Sequence, residues 1–239
     1  MRFLTRRRTL AAAAILAVLL AVLIALFAIS KARCFQLIGT PICRVETSEK
    51  LVALTFDDGP DKTGVDAILP VLARYRAHAT FFLIGRGIEN APGEAHRLLA
   101  AGHELGNHSY SHPRMWGLFP GAYEEEIRRT DALLRREGAS PTLFRPPYGK
   151  RLTGLPIAVA NTGYRMVTWD IEDPDASLDA RGYADRVLEQ VHPGAIILIH
   201  AMYPNRRTAR EALPLILEGL KQRGYRAVTV SELLRHAAR

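Results

Sequence analysis

The hydrophobic and polar positions divide the chain into an apolar N-terminal stretch and a longer region of alternating segments. From about residue 50, short apolar runs alternate with longer stretches that repeat apolar residues at three- and four-residue spacing. The short runs predict strands and the longer stretches predict amphipathic helices. The predicted strands are residues 51–56, 79–84, 104–107, 142–145, 165–170, 195–200 and 226–230. The predicted helices are residues 65–76, 94–101, 123–136, 183–191 and 211–223.

This alternation indicates βα units around a mainly parallel sheet. Gly102, Gly138 and Gly224 follow three predicted helices, where a left-handed C-terminal cap favours glycine. Seven predicted strands favour an α/β fold of the distorted (β/α) barrel type, with an open doubly wound sheet as the alternative. Both folds place binding and catalytic groups at the carboxyl ends of the strands.

The first thirty residues have a different pattern. An uninterrupted apolar run covers residues 10–29 and follows four arginines at positions 2, 6, 7 and 8. As a helix this run spans about 30 Å, the thickness of a bilayer core. We predict a cytoplasmic basic segment over residues 1–9, a transmembrane signal anchor over residues 10–30 and an extracytoplasmic remainder, because arginines favour the cytoplasmic side. A cleaved signal peptide, which leaves a secreted domain, is the alternative.

Composition and charge limit the remaining possibilities. The chain has 239 residues, of which 48% are hydrophobic and 23% charged, so it can bury a substantial core. The formal charge is +8, and without the four N-terminal arginines 28 basic side chains face 24 acidic ones. No basic cluster interleaved with aromatic residues follows, which argues against a nucleic-acid partner. No pattern indicates a protein partner.

Residues 31–49 form a predicted linker between the anchor and a domain that covers residues 50–239. The linker contains the chain's two cysteines, Cys34 and Cys43. Outside the cytoplasm they are able to form a disulfide. A pair of free thiols fits the sequence equally well.

Several ionisable residues follow predicted strands, although they are far apart in the sequence. They are Asp57, Asp58, His108, His112, Arg145 and His200. Because the carboxyl ends of parallel strands share one rim, we expect these side chains to converge. If residues 108–112 form a helical turn, the two histidines reach the same metal ion. One aspartate and two imidazoles then leave a coordination position open for water or substrate.

Four motifs, in this order, resemble those of the NodB-homology polysaccharide deacetylases, carbohydrate esterase family 4. The motifs are Thr55-Phe56-Asp57-Asp58-Gly59-Pro60, His108-Ser109-x-x-His112, Arg145-Pro146-Pro147-Tyr148-Gly149 and Leu198-Ile199-His200. The resemblance implies a metal-dependent hydrolase that removes N-acetyl groups from N-acetylglucosamine-containing glycans such as peptidoglycan, chitin-type oligosaccharide or exopolysaccharide. A deformylase or deacylase of a lipid-linked sugar is an alternative, and a non-catalytic metal- or glycan-binding module is a weaker one.

The resemblance also implies a role for each motif residue. Asp58, His108 and His112 ligate a divalent cation, which we expect to be zinc, with cobalt, nickel or manganese as alternatives. Asp57 is the general base, and Arg145 orients it. His200 protonates the leaving amine. Residues expected at the oxyanion hole or the substrate are Tyr148, Pro147, Leu198 and Trp169.

The sequence departs from the family pattern after Trp169. Members commonly have an aspartate that supports the catalytic histidine, followed by a tryptophan in the acetyl pocket. Counting from Trp169 predicts Asp175 as this aspartate, with Asp173 as an alternative register, and Ala176 stands in place of the tryptophan. We therefore expect Trp116 or Tyr203 to form the pocket wall, or a more open acyl pocket.

Overall fold

The computed structural model describes residues 2–117, 119–175 and 177–238. In these residues the strands are β1 (Leu51–Asp57), β2 (Thr80–Leu83), β3 (Glu104–Asn107), β4 (Leu143–Phe144), β5 (Arg165–Met166), β6 (Ile196–Ile199) and β7 (Arg226–Val228). The helices are α1 (Arg2–Lys31), α2 (Lys62–Tyr75), α3 (Gly85–Asn90), α4 (Glu94–Ala100), α5 (Pro120–Arg136), α6 (Gly154–Asn161), α7 (Ala180–Gln190), α8 (Arg207–Gln222) and α9 (Val230–Arg235). A short 3₁₀ helix covers Pro147–Gly149.

The strands form one parallel sheet in the order β5-β4-β3-β2-β1-β6. The last strand, β7, pairs with the first half of β1 at residues 51–53, whereas β2 pairs with residues 55–57. An isolated bridge between Ile171 and Ile197 joins the segment after β5 to β6. The sheet therefore curves into an incomplete barrel with helices around it, and the predicted distorted barrel is confirmed.

The central strand β1 has buried side chains on both faces, as expected of a strand in a parallel sheet covered by helices. Val52, Leu54 and Phe56 pack in the outer core with the helices. Leu51 and Ala53 face the barrel interior. Because side chains alternate along a strand, residues 55 and 57 continue this interior face. The last residue of β1 thus lies at the carboxyl-end rim of the barrel.

Three helices, α3, α6 and α9, are absent from the prediction. Two of them, α3 and α9, have six residues each, too few for a helical repeat to be recognised. The third, α6, is almost entirely apolar and has no polar face to reveal its period. The predicted capping glycines are confirmed, since Gly102, Gly138 and Gly224 all have positive φ angles.

The N-terminal helix α1 includes Leu10–Lys31, which is long and apolar enough to cross a membrane. Most of this range is exposed, but Ser30, near its end, is buried. The predicted linker, residues 31–49, lies against the domain. A disulfide joins Cys34 to Cys43. Backbone bridges then connect Ile42 to Val167 and Arg44 to Ala195. The segment after α1 is therefore fixed to the barrel at several points.

Candidate active site

The two adjacent aspartates at the end of β1 point to different surroundings. Asp57 is buried, whereas the side chain of Asp58 is partly exposed. Asp58 has a φ of 74°, a left-handed conformation that is uncommon for residues with a side chain. This turn separates the two carboxylates, so that neighbouring residues can serve different functions.

Asp58, His108 and His112 form a cluster whose potential ligand atoms all lie within 4.8 Å of one another. Asp58 Oδ1 lies 3.4 Å from His112 Nε2 and 3.8 Å from His108 Nε2. This oxygen is buried and has no hydrogen-bond partner among the described residues. A buried oxygen without a partner is costly, and a cation between these three atoms would satisfy it. The donor set therefore fits a divalent metal ion.

The loop that carries the two histidines is not the helical turn expected from their spacing. Residues 108–112 form an irregular turn in which Ser109 and His112 have positive φ angles of 65° and 57°. Glu126 of α5 holds the turn by accepting hydrogen bonds from the backbone N–H groups of Tyr110 and Ser111, both at 2.8 Å. The imidazoles therefore converge through a shaped loop rather than through helical geometry.

The two imidazoles are prepared for metal binding in different ways. His108 Nδ1 lies 2.7 Å from the carbonyl oxygen of Arg145, which fixes the tautomer with a proton on Nδ1 and leaves Nε2 free as a ligand. Burial and the charge of His108 lower the pKa of His112 to about 4. The His112 ring is therefore available in the neutral form that ligates metals.

Arg145, at the end of β4, is fully buried and directed toward Asp57. One of its terminal nitrogens donates to Asp57 Oδ1 and to Thr55 Oγ1, both at 2.7 Å. The other donates to the carbonyl oxygen of Thr168 at 2.9 Å. Burial alone would raise the pKa of Asp57, but the neighbouring positive charges, Arg145 first, hold this pKa below its ordinary value. Asp57 is therefore held as a carboxylate.

His200 follows β6, and its support differs from the expected one. Its Nδ1 lies 2.9 Å from Asp173 Oδ2, and Asp173 also accepts a hydrogen bond from the hydroxyl of Tyr183. The predicted partner, Asp175, instead accepts from the backbone N–H of Ser177. Asp173, the alternative register, therefore contacts the histidine, because the parallel bridge between Ile171 and Ile197 places this segment alongside β6. Ala176 lies outside the described residues.

The environment of His200 favours its protonated form. Burial opposes the charge, but the hydrogen bond that His200 donates to Asp173 and the charge of Asp57 outweigh burial and raise the pKa of His200. Because Nδ1 faces Asp173, the other ring nitrogen, Nε2, is left for a substrate. The site thus combines a carboxylate with a lowered pKa and an imidazole with a raised one.

The remaining predicted residues lie around this centre. The ring of Tyr148 lies 4.7 Å from that of His112, and Tyr148 has a positive φ of 57°. Pro147 begins the 3₁₀ helix and is buried. Leu198 and Trp169 pack together in the interior cluster of the barrel. The indole N–H of Trp169 has no acceptor among the described residues.

A cavity of about 330 Å³ opens beside the cluster. It is lined by Asp58, His112 and Tyr203, among others. Trp116, the other expected wall residue, does not line this cavity. Of the two residues expected to form the pocket wall, Tyr203 is therefore the one that lines this cavity.

Thr55 and Glu126 take part in the site but are not among the predicted residues. Thr55 belongs to the same motif as Asp57, and its position two residues earlier on the strand is the signal that places it on the same face. Glu126 lies on α5 in a run of three glutamates, which by itself indicates only a solvated helix face. Its role depends on tertiary contacts.

The model of the polysaccharide deacetylase family matches residues 44–167. The chain belongs to this family. Over 195 residues it is 36% identical to a peptidoglycan N-acetylglucosamine deacetylase of Bacillus cereus, covering 80% of this chain and 92% of the relative. Over 191 residues it is 37% identical to the peptidoglycan N-acetylmuramic acid deacetylase PdaC of Bacillus subtilis, covering 79% of this chain but only 40% of that longer protein.

Among solved structures, this polysaccharide deacetylase resembles a carbohydrate esterase family 4 pseudoenzyme from Bacillus anthracis. The TM-score is 0.77 at 27% identity, and the match covers 83% of this chain and 70% of the other. A pseudoenzyme with the same fold means that the fold alone does not establish activity. Activity depends on the side chains at the rim.

Proposed function

We propose that this polysaccharide deacetylase is a metal-dependent N-deacetylase of peptidoglycan amino sugars, attached to the membrane by α1 with its catalytic domain outside the cytoplasm. The single observation that carries the proposal is the ionised Asp57, which lies beside the cluster of Asp58, His108 and His112 without being needed as a ligand. A site that only bound metal would not require this additional buried carboxylate. The names of the two bacterial relatives support peptidoglycan as the substrate.

Asp58, His108 and His112 would hold the divalent cation. We propose zinc, since one carboxylate and two imidazoles form a set that zinc accepts. When bound, the ion supplies Lewis acidity toward the acetyl carbonyl and lowers the pKa of water. The free Asp58 Oδ1 and the Nε2 atom of His108 are the atoms prepared for this role.

Asp57 and His200 divide the proton transfers of the hydrolysis. Asp57 accepts the proton of the attacking water at Oδ2, because Oδ1 is occupied by Arg145. His200 donates a proton from Nε2 to the amide nitrogen as the carbon–nitrogen bond breaks, since its Nδ1 is held by Asp173. Water, the acetamido sugar and these two groups thus yield acetate and a free amino sugar.

The loop after β4 positions the other groups. Arg145 holds Asp57 in its ionised form. Tyr148 has a left-handed backbone conformation and its ring lies beside that of His112, and we expect its backbone N–H to stabilise the developing oxyanion. Tyr203 would limit the space available to the acyl group.

The experiment uses the full chain in detergent, loaded with zinc or cobalt. Acetate and formate release is measured from N-acetylglucosamine oligomers and from peptidoglycan, for the wild type, Asp57→Asn and the exposed control Asp185→Asn. We expect acetate release that Asp57→Asn lowers about 10²- to 10⁴-fold, the range for loss of a general base. Zinc affinity, measured by calorimetry, should be retained in Asp57→Asn, and Asp185→Asn should behave as the wild type.

Two results would overturn the proposal. One is acetate release that continues in Asp57→Asn at the wild-type rate. The other is zinc binding with no release of acetate from any of these glycans, which would indicate a binding module or a different substrate.

A further inference from the structure

The end of helix α1 is attached directly to the loop that carries Tyr148. The backbone N–H of Arg151 donates to the carbonyl oxygen of Ser30 at 3.2 Å, and Ser30 is buried. Among the described residues, the buried guanidinium of Arg151 donates to neutral oxygens only. Its acceptors are the carbonyls of Ala32, Arg33, Phe35 and Gly149 and the side-chain oxygen of Gln36. We call the loop that carries Tyr148 the catalytic loop. If α1 crosses the membrane, the catalytic loop therefore lies at the membrane surface.

A second cavity, of about 380 Å³, lies at this junction. We name it the membrane-side cavity; the residues that define it are Lys31, Arg33, Tyr148, Lys150, Trp169 and Glu172. Tyr148 connects it to the candidate active site, because the ring of Tyr148 lies 4.7 Å from that of His112. A ligand in the membrane-side cavity would thus lie next to the proposed metal ligands.

The cavity contains positive charge that the described residues do not neutralise. Arg33 is paired with Glu172. Lys31 and Lys150 have no carboxylate partner in the described part of the chain, and both ammonium groups lie over the ring of Phe27, at 4.3 and 4.4 Å. Burial and the nearby charges of Lys31 and Arg114 lower the pKa of Lys150. Such neighbouring cations repel one another until an anion lies between them.

The position of these cations is also unusual for a membrane protein. Basic residues close to a membrane-spanning helix favour the cytoplasmic side, where this chain has four arginines before residue 10. Lys31 and Lys150 lie at the opposite end of α1, which the proposed topology places outside. The positive charges of Lys31 and Lys150, which lie on the outer side beside the catalytic loop, therefore indicate an anionic ligand at the membrane surface.

We propose that the membrane-side cavity binds the phosphate or pyrophosphate group of a lipid-linked glycan. This inference rests on the proposed function and membrane topology. The lipid would remain in the bilayer while the N-acyl sugar extends past Tyr148 to Asp57 and His200. The substrate class is then a membrane-attached glycan, and charge-assisted contacts from Lys31 and Lys150 to phosphate oxygens select it.

The experiment uses the full chain in nanodiscs of phosphatidylcholine, a lipid without net charge. The kcat/KM for acetate release is measured with a polyprenyl pyrophosphoryl N-acetylglucosamine and with a neutral N-acetylglucosamine oligomer. The variants are Lys31→Gln and Lys150→Gln, and the matched control is Lys221→Gln, an exposed lysine near the end of α8. We divide the kcat/KM for the lipid-linked sugar by that for the neutral oligomer. We expect each cavity variant to lower this ratio about tenfold, the effect of losing one charged hydrogen bond, whereas the control keeps the wild-type ratio.

Two further measurements distinguish the source of the phosphate. Binding of inorganic pyrophosphate, followed by phosphorus NMR, should weaken in Lys150→Gln and not in Lys221→Gln, whether or not any glycan is hydrolysed. Phosphatidylglycerol added to the nanodiscs should leave hydrolysis of the lipid-linked sugar unchanged. Inhibition by phosphatidylglycerol as strong as that by pyrophosphate would overturn the proposal in favour of a site for bulk anionic lipid.

The failure of this inference differs from the failure of the proposed function. A ratio that is equal in the wild type, both cavity variants and the control would overturn the phosphate site while hydrolysis of the neutral oligomer still supports the deacetylase. Absence of acetate release from every glycan would overturn the deacetylase, and pyrophosphate binding that depends on Lys150 would still support the cavity.

Discussion

Arg145 donates a hydrogen bond to Asp57 at 2.7 Å in a place where both side chains are almost completely shielded from water. The contact occupies only Oδ1, and Asp57 Oδ2 lies 3.7 Å from His108 Nε2. A buried carboxylate without such a partner would take up a proton. The pair therefore keeps the proposed base ionised and directs its second oxygen toward the site.

Replacing Arg145 should move the acidic limb of the pH–rate profile. The positive charge lowers the pKa of Asp57, so Arg145→Gln should raise this pKa and shift the acidic limb of kcat/KM to higher pH. Arg145→Lys keeps the charge but loses the second donor arm, so we expect a lower kcat with a smaller shift of the limb. An acidic limb that stays in place in Arg145→Gln would contradict this assignment, provided that circular dichroism shows a folded variant.

The contact between Asp173 and His200 gives a prediction with a built-in control. Asp173 helps to raise the pKa of His200, and a proton donor works below its own pKa. Asp173→Asn should therefore shift the alkaline limb of kcat/KM to lower pH and decrease kcat about a hundredfold. The profile is measured by acetate release between pH 5 and pH 10, about the range in which histidine and its neighbours titrate.

The matched control is Asp175→Asn, two residues along the chain. The carboxylate of Asp175 accepts a hydrogen bond from its own turn and does not contact the histidine. We expect an almost unchanged profile. If Asp175→Asn lost activity while Asp173→Asn retained it, the register read from the structure would be wrong.

Much of the site could be predicted because its residues occur in short local motifs at strand ends. Asp57 and Asp58 follow a strand whose run of apolar residues is unmistakable, and the rim of a parallel barrel then places them with His108 and His200. The spacing of the motif at residues 108–112 indicated a shared ligand role, although the predicted helical turn is wrong. The convergence depends on left-handed backbone at Ser109 and His112, which local sequence does not indicate.

What could not be predicted depends on contacts between distant segments. The choice between Asp173 and Asp175 depends on the register in which the segment after β5 lies alongside β6, and counting along the chain cannot determine it. The packing of residues 31–49 depends on Arg151, which is more than a hundred positions away in the sequence. A lone arginine after a Pro-Pro-Tyr-Gly segment gives no signal for such a role.

Glu126 should affect metal affinity although it does not ligate the metal. Its carboxylate accepts hydrogen bonds from the N–H groups of Tyr110 and Ser111 and from the Ser111 hydroxyl, and it thereby fixes the loop between the two histidines. Glu126→Gln replaces one acceptor oxygen by a donor, and we expect a 10- to 100-fold loss of zinc affinity, about the effect of disturbing groups that orient metal ligands. Zinc calorimetry on the full chain measures this loss.

Glu125→Gln is the control for Glu126→Gln, because Glu125 is exposed on the same helix. It should bind zinc as the wild type does. Equal zinc affinity in the two variants would show that the loop keeps its shape without the Glu126 carboxylate.

The disulfide between Cys34 and Cys43 closes a short loop in the segment that Arg151 attaches to the catalytic loop. Its removal should increase the conformational entropy of the unfolded chain. The free energy of unfolding should therefore fall by about 2–3 kcal/mol, the value that loop-closure entropy gives for a loop of roughly ten residues. The Cys34→Ser/Cys43→Ser double variant should therefore unfold at a lower denaturant concentration than the oxidised wild type. Reductant should bring the wild type to the same midpoint and leave the variant unchanged. Equal midpoints for the oxidised wild type and the variant would mean that the contacts of Arg151 hold this segment without the disulfide.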